Sequence, residues 1–329
     1  MIDPLPAASS GRSPSERPLA VSVVVPVYNG AATLPELVAR LRAALAARAP
    51  DAEILLVNDG SRDASWQAIA ELAAEPQRPR VRGIDLRRNY GQHNALLCGI
   101  RAASGAVVVT LDDDLQHPPE EVPRLLDALS GEVDVVYGTP RGEQHGLLRN
   151  LASRATKLVL RGAMGPEIAG RVSAFRAFRA ELRDAFAQYG NPYVSIDVLL
   201  SWATNRFAAV EVAHQPRREG RSGYTLRTLV RHALNMITGF SIGPLRLASA
   251  IGVASTLFGL LVLAWVVGRY LVQGGSVPGF PFLASVIAIF SGAQLFTLGI
   301  LGEYLARIHL RLMSRPVYSV RRSTPGEQG

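Results

Sequence analysis

The sequence predicts an α/β domain, a mostly parallel sheet with flanking helices, followed by a two-helix transmembrane hairpin. Three observations carry that expectation. Short β-branched runs alternate with stretches of helical apolar spacing along residues 21–137. One run, Ala106–Leu111, ends in Asp112, Asp113 and Asp114, at the strand end where open α/β sheets bind ligands. Towards the C-terminal end, two nearly charge-free segments exceed the ~20 residues needed to cross a ~30 Å hydrocarbon core.

In chain order, Met1–Pro18 is rich in Pro, Ser, Ala and Gly and lacks an apolar run, so residues 1–18 read as a disordered tail. Val21–Pro26 (VSVVVP) is the first buried strand, and Val27-Tyr28-Asn29-Gly30 turns out of it. Thr33–Ala47 has helical spacing. Glu53–Val57 (EILLV) is the next strand, ending in Asn58-Asp59-Gly60-Ser61-Arg62-Asp63. Ser65–Ala74 reads as helix, Val81–Leu86 as strand and Gly91–Ala103 as helix. Ala106–Leu111 is apolar on both faces, the mark of a central parallel strand. Pro118-Pro119-Glu120-Glu121 starts a helix, with proline in the first turn and acids near the positive end of the dipole. Val133–Tyr137 (VDVVY) closes the series.

The acidic triplet is the first candidate site. If the segment stays extended, Asp112 and Asp114 point to one side and Asp113 to the other. Adjacent like charges repel unless a cation joins them. Oxygen ligands from Asp114 and Gln116 suit a hard cation, Mg²⁺ or Mn²⁺, holding a diphosphate. A solvated acidic turn capping a helix is the plainer alternative. Asp59 reads equally as an acceptor for a nucleobase or ribose and as a turn residue. No GxGxxG follows the first strand and no GxxxxGK[ST] occurs, so classical dinucleotide and P-loop sites are excluded.

Charge narrows the partners. The chain has 35 Lys+Arg against 27 Asp+Glu, and Lys157 is its single lysine. Such a balance points to phosphates or an acidic membrane surface. Aromatic residues are not interleaved with the basic runs, which argues against a nucleic-acid partner. Cys98 is the one cysteine, so an intrachain disulfide is impossible and a small buried hydrophobe is its natural role.

Arginines crowd Gly138–Arg183, and Gly146–Arg161 has the pattern of an amphipathic helix on a membrane surface or on a soluble domain. Residues 216–243 combine a basic loop, Arg217 to Tyr224, with an amphipathic helix over Thr225–Phe240. Two transmembrane helices occupy 244–306, at about 245–271 and 280–304. Residues 307–329 form a basic tail. Arginines flank both outer ends, so the positive-inside rule places both termini and the domain over 19–215 in the cytoplasm, on the inner membrane. Asp197, before Val198–Ala203, reads as a helix N-terminal acid or as a second carboxylate of the site.

The stretches VSVVVPVYN, LLVNDGSRD, RRNYGQHNAL and LDDDLQHPPE, in this order, resemble family-2 inverting glycosyltransferases of the GT-A fold. More narrowly, the chain is similar to polyprenyl-phosphate glycosyltransferases. These include dolichol-phosphate mannose synthases and the undecaprenyl-phosphate glucosyl- and aminoarabinose transferases. The resemblance covers about residues 20–320. It implies a nucleoside diphosphate sugar, with uridine favoured, bound by Pro26, Tyr28, Asn29, Asp59, Asp112 and Asp113. It implies Mg²⁺ or Mn²⁺ at Asp114 and Gln116, with Asp114 catalytic; Asp197, read from the residues alone, is a further catalytic candidate. Arg141, Arg149, Ser153, Arg217 and Ser222 match positions around a polyprenyl (undecaprenyl-type) phosphate. Gly30 stands where many members have glutamate and Gly223 where many have lysine. Gly170–Arg176 lacks the aspartate that some relatives use as general base.

The activity so implied is inverting sugar transfer to the lipid phosphate at the cytoplasmic membrane face, by a homo-oligomer, a tetramer in relatives. A processive polysaccharide synthase would need a larger bundle and a Q-x-x-R-W motif, both missing from the sequence. A non-catalytic membrane binding protein on a decayed transferase is the alternative of another class.

Overall fold

The computed structural model describes residues 20–140, 169–191, 194–213, 215, 243–273, 279–313 and 315–325. Its first half follows the predicted alternation. Strands β1 (Val21–Val27), β2 (Glu53–Asn58), β3 (Arg80–Leu86) and β4 (Val107–Thr110) alternate with helices α1 (Leu34–Leu45), α2 (Ser65–Ala74) and α3 (Gln92–Ala102). A 3-10 turn at Pro119–Glu121 leads into α4 (Val122–Ala128), as the paired prolines and acids anticipate. Then come β5 (Val135–Pro140), β6 (Arg176–Arg179), α5 (Ile196–Ala203) and β7 (Phe207–Val212).

All of these strands join one eight-stranded sheet, in the order β7-β5-β6-β4-β1-β2-β3, with the last edge taken by β8 (Val320–Ser323). β1 pairs in parallel with both β2 and β4. The chain order therefore reverses beside β1, and the loops after β1 and β4 open on the crevice this reversal creates. β1 is buried over its whole length. Val24 faces a core with α3 and α5, while Val23 and Val25 face the opposite core with α1, α2 and α4. Each fully buried Val or Leu there is worth about 1.5–3 kcal/mol. This two-sided burial is why the strand is written without a polar alternation.

Two strands run against the rest. β6 lies antiparallel between β4 and β5, so β5 does not follow β4 directly in the sheet. β6 reads RAFR, and its Arg176 is fully buried. Asp197, also buried, pairs with that guanidinium, and the Tyr137 hydroxyl donates to Asp197 Oδ1 at 3.0 Å. Desolvation raises the Tyr137 phenol well above its ordinary value, and the neighbouring carboxylate adds to the rise. β8 is antiparallel to β3. The basic tail is thus in part a strand, returning to the sheet after the apolar helices.

Those helices are α6 (Gly243–Gln273) and α7 (Phe280–Leu312). Both contain spans long and apolar enough to cross a membrane, with none of the span buried by protein. They pack on each other, Phe258 stacked on Phe290 at 6.2 Å between ring centroids. The tail at 1–18 and the amphipathic stretches at 146–161 and 225–240 lie outside the described residues.

Candidate active site

A cleft of about 270 Å³ opens at the reversal point beside β1. Pro26, Val27 and Tyr28 from β1 and its turn, Asp59 after β2, Asn89 and Gly91 from the β3–α3 loop, Gln92 at the start of α3, and all three acids after β4 line it. The sequence thus brings together Pro26, Tyr28, Asp59, Asp112, Asp113 and Asp114.

The acidic segment departs from the extended geometry. β4 ends at Thr110, the chain turns at Asp113 and Asp114, and Leu115 adopts a left-handed φ of 59°. A buried leucine in that region costs energy, of order 1–3 kcal/mol. The turn removes the two-sided alternation, and the three carboxylates share one cleft. Each is tied to a different neighbour. Gln92 Nε2 donates to Asp112 Oδ1. The Tyr28 N–H donates to Asp113 Oδ2 at 3.2 Å. The Gln116 N–H donates to Asp114 Oδ1 at 3.1 Å, and the Gln116 carbonyl accepts from the Gln215 N–H at 2.9 Å. Arg40 on α1 donates to both oxygens of Glu120 at 2.8 Å, pinning the turn that follows. That guanidinium holds the Glu120 carboxyl below its ordinary range.

Gly30 has a steric explanation. A Cβ there would meet Asp113 Oδ2 at 2.4 Å, so the missing side chain is the space this carboxylate fills. Asn29, with φ 55°, takes the left-handed conformation asparagine tolerates best after glycine. Its N–H donates to Ser61 Oγ and its Oδ1 accepts from the Arg62 N–H, both at 2.9 Å. Asn29 shapes the turn and is not among the lining residues.

Asp59 is 3% exposed. Its two oxygens accept the N–H groups of Tyr90 and Gly91 at 2.7 and 2.8 Å. Burial pushes its carboxyl above the ordinary value, while the two donors pull it down. Asp59 therefore both lines the cleft and fixes the β3–α3 loop, so its two sequence readings coexist. Gly91 serves that loop with φ 95°, a conformation open to glycine.

Asp197 is not brought to the cleft. It is occupied by Arg176 and Tyr137 within the core. Asn89, Gly91 and Gln92 are the lining residues the sequence left without a role, though RRNYGQHNAL marked their stretch. Arg141, Arg149, Ser153, Arg217 and Ser222 lie outside the described residues. Cys98 is buried, and desolvation pushes its thiol up to about 12, which disfavours the reactive thiolate.

The cleft offers oxygen donors only. Among the described residues no three of His, Cys, Asp or Glu are disposed to hold a metal ion. That donor set fits a hard cation carried by one or two side chains and completed by substrate phosphates, the habit of Mg²⁺ and Mn²⁺.

Residues 22–186 match the family described as glycosyl transferase family 2. The undecaprenyl-phosphate 4-deoxy-4-formamido-L-arabinose transferase of Pectobacterium atrosepticum is 36% identical over 305 residues, covering 92% of this chain and 93% of that one. The transferase of the same name from Yersinia enterocolitica is 36% identical over 322 residues, covering 96% and 97%. Among solved structures, mannosyl-3-phosphoglycerate synthase from Rubrobacter xylanophilus aligns at 22% identity and a TM-score of 0.48, over 80% of this chain and 79% of its own.

Proposed function

The chain belongs to glycosyl transferase family 2, and from that premise we propose that it moves a sugar from a nucleoside diphosphate sugar to an undecaprenyl-type phosphate. Uridine diphosphate is the favoured carrier, and the site faces the cytoplasm at the inner membrane. The observation that carries this reading is the convergence of Asp112, Asp113 and Asp114 with Tyr28 and Asp59 on one cleft at the sheet's reversal point. The acceptor follows from the relatives, which match this chain across both the sheet and the hairpin.

In this reading the β1 turn and the Asp59 loop hold the nucleoside. The acidic turn takes the diphosphate end, with Asp114 and Gln116 as the residues that would hold Mg²⁺ or Mn²⁺. Such an ion, when bound, would neutralise charge on the departing diphosphate. The incoming nucleophile is a phosphate monoester with a second pKa near ~6, so its oxygen is largely ionised without a strong base. Loss of the aspartate from Gly170–Arg176, and the commitment of Asp197 to Arg176, are compatible with that chemistry. Orientation of the acceptor then falls to arginines, with Arg141, Arg149 and Arg217 as the candidates. Gln215, two residues before Arg217, is bonded to Gln116 in the acidic turn, which supports Arg217 most directly. A single in-line displacement inverts the anomeric centre.

Topology supports the cytoplasmic placement. β8 begins only a few residues after α7 ends and pairs with β3. Both outer ends of the hairpin therefore lead to the same domain, and the positive-inside rule puts that side within.

The test is a panel of uridine and guanosine diphosphate sugars with the purified full chain, undecaprenyl phosphate and either cation. Metal-dependent nucleotide release that requires the lipid phosphate is expected, with Asp114→Ala losing at least about two decades of turnover. Release without acceptor, or near-normal Asp114→Ala turnover, overturns the assignment.

A further inference from the structure

The C-terminal strand carries more than its pairing. β8 is exposed along its length and adds little to the apolar core. Yet its Arg322 reaches into the sheet, where Nε donates at 3.0 Å to Oδ2 of Asp85, a carboxylate only 2% exposed. Among the described residues Arg322 is the cation paired with Asp85. The other oxygen, Oδ1, accepts from Asn58 Nδ2 at 2.7 Å, and Asn58 is itself buried. Asn58 Oδ1 accepts the Ser61 N–H at 3.2 Å, and Ser61 Oγ accepts the Asn29 N–H at 2.9 Å. Four contacts thus run from the tail to the turn beside Tyr28. Asn58 also immediately precedes Asp59, whose carboxylate holds the loop between β3 and α3 that lines the cleft.

The surroundings hold Arg322 in place. Its guanidinium lies 4.7 Å from the centroid of the Trp66 ring. Thr324 exchanges bonds with Gly83, N–H to carbonyl and N–H to Oγ1, both at 2.9 Å. A Cβ on Gly83 would meet Ile69 at 2.4 Å and Thr324 at 3.1 Å, so the glycine makes room first for α2 and also lets the tail approach closely. Upstream, Val317 is buried and the Arg101 guanidinium lies 5.8 Å from the Tyr318 ring centroid.

We propose that Arg322, acting through Asp85 and Asn58, is a positioning residue for the donor side of the cleft, so that the strand leaving the hairpin sets the nucleotide-binding loops. This rests on the reading of that cleft as the nucleotide site. A tail that only anchored the chain would need its backbone pairing alone. It would not need a guanidinium on a buried carboxylate that is wired to the donor loops.

The experiment uses the full chain in detergent, with uridine diphosphate and Mn²⁺ as probe by calorimetry and with initial rates against donor and acceptor. Arg322→Ala should weaken nucleotide binding and raise donor KM about tenfold, the scale of one charge-assisted hydrogen bond. Acceptor KM should stay within about twofold of wild type, since none of the four contacts involves a residue proposed for the acceptor. Arg322→Lys should recover part of the loss, because an ammonium keeps the charge without the planar stacking surface. Arg321→Ala, which removes a bond to the Arg87 carbonyl in the same strand, is the control and should bind nucleotide normally. If Arg322→Ala binds like Arg321→Ala, or shifts donor and acceptor constants equally, the tail is only an anchor and the proposal fails. If the wild-type chain binds no nucleotide, the nucleotide-site reading itself fails, and the relay with it.

Discussion

β1, VSVVVPV, and the central part of α6 are both predominantly apolar and uncharged, and meet opposite fates. Val23, Val24 and Val25 of β1 have no exposed surface, whereas Leu261 and Val272 of α6 are 69% and 84% exposed. The strand is apolar because protein covers both of its faces. The helix is apolar on every side, the pattern expected of a span that lipid rather than protein covers. Polar groups divide the same way. Around the cleft each carboxylate has a named donor, while the central apolar part of α6 carries no charge at all. Chemistry is placed where backbone and side-chain donors can hold it, and anchoring where nothing needs holding.

A charge in the middle of α6 tests that contrast most severely. Leu261→Arg would be nearly neutral on a water-facing helix, since surface substitutions usually stay within about 0.5 kcal/mol. In a bilayer it should cost about 2.5–3.5 kcal/mol of insertion free energy. The expected outcome is loss of most chain from the membrane fraction, with sharply reduced yield. Normal membrane levels would mean that lipid does not cover this face.

A smaller effect sharpens the other side. Gly30→Ala places a methyl where Asp113 Oδ2 sits. The carboxylate is the far end of a flexible side chain, so it moves and the fold survives. The bond from the Tyr28 N–H is lost, worth about 0.5–1.5 kcal/mol, or roughly two- to twelvefold in donor affinity. Calorimetry on the variant should show weaker nucleotide binding with a melting temperature close to wild type. Unchanged affinity would separate Asp113 from the donor.

The same contrast explains what could be read from the residues alone. β1 to β4 and both apolar helices were legible because their environments are uniform and leave a continuous pattern. β6 was not, since a buried strand reading RAFR depends on Arg176 meeting Asp197 from a distant helix. β8 escaped for the converse reason, as an exposed edge strand of Val-Arg-Arg-Ser has no apolar signature. The acidic triplet marked the candidate site, but its turn left no signal. The left-handed Leu115 that gathers the three carboxylates has no local signal in its side chain. Gln92 was hidden similarly, because its partner Asp112 lies twenty positions away.

The smallest perturbation addresses orientation. Cys98 is buried beneath the sheet with its thiol pushed up to about 12, so a water-soluble maleimide should not touch it in the native chain. The protein therefore carries its own silent background, and one added cysteine reports alone. Val272 lies one residue before the C-terminal end of α6 and is 84% exposed. Val272→Cys should leave transfer and stability nearly unchanged, because a side chain 84% exposed contributes little packing. A membrane-impermeant maleimide applied to intact spheroplasts should label Val272→Cys and leave the parent chain unmarked. Labelling that appears only after lysis would place the hairpin tip inside, reverse the positive-inside assignment and move the cleft away from the cytoplasm. Labelling of the parent chain would show instead that Cys98 is reachable, and that the sheet is covered less completely than β1 and its neighbours indicate.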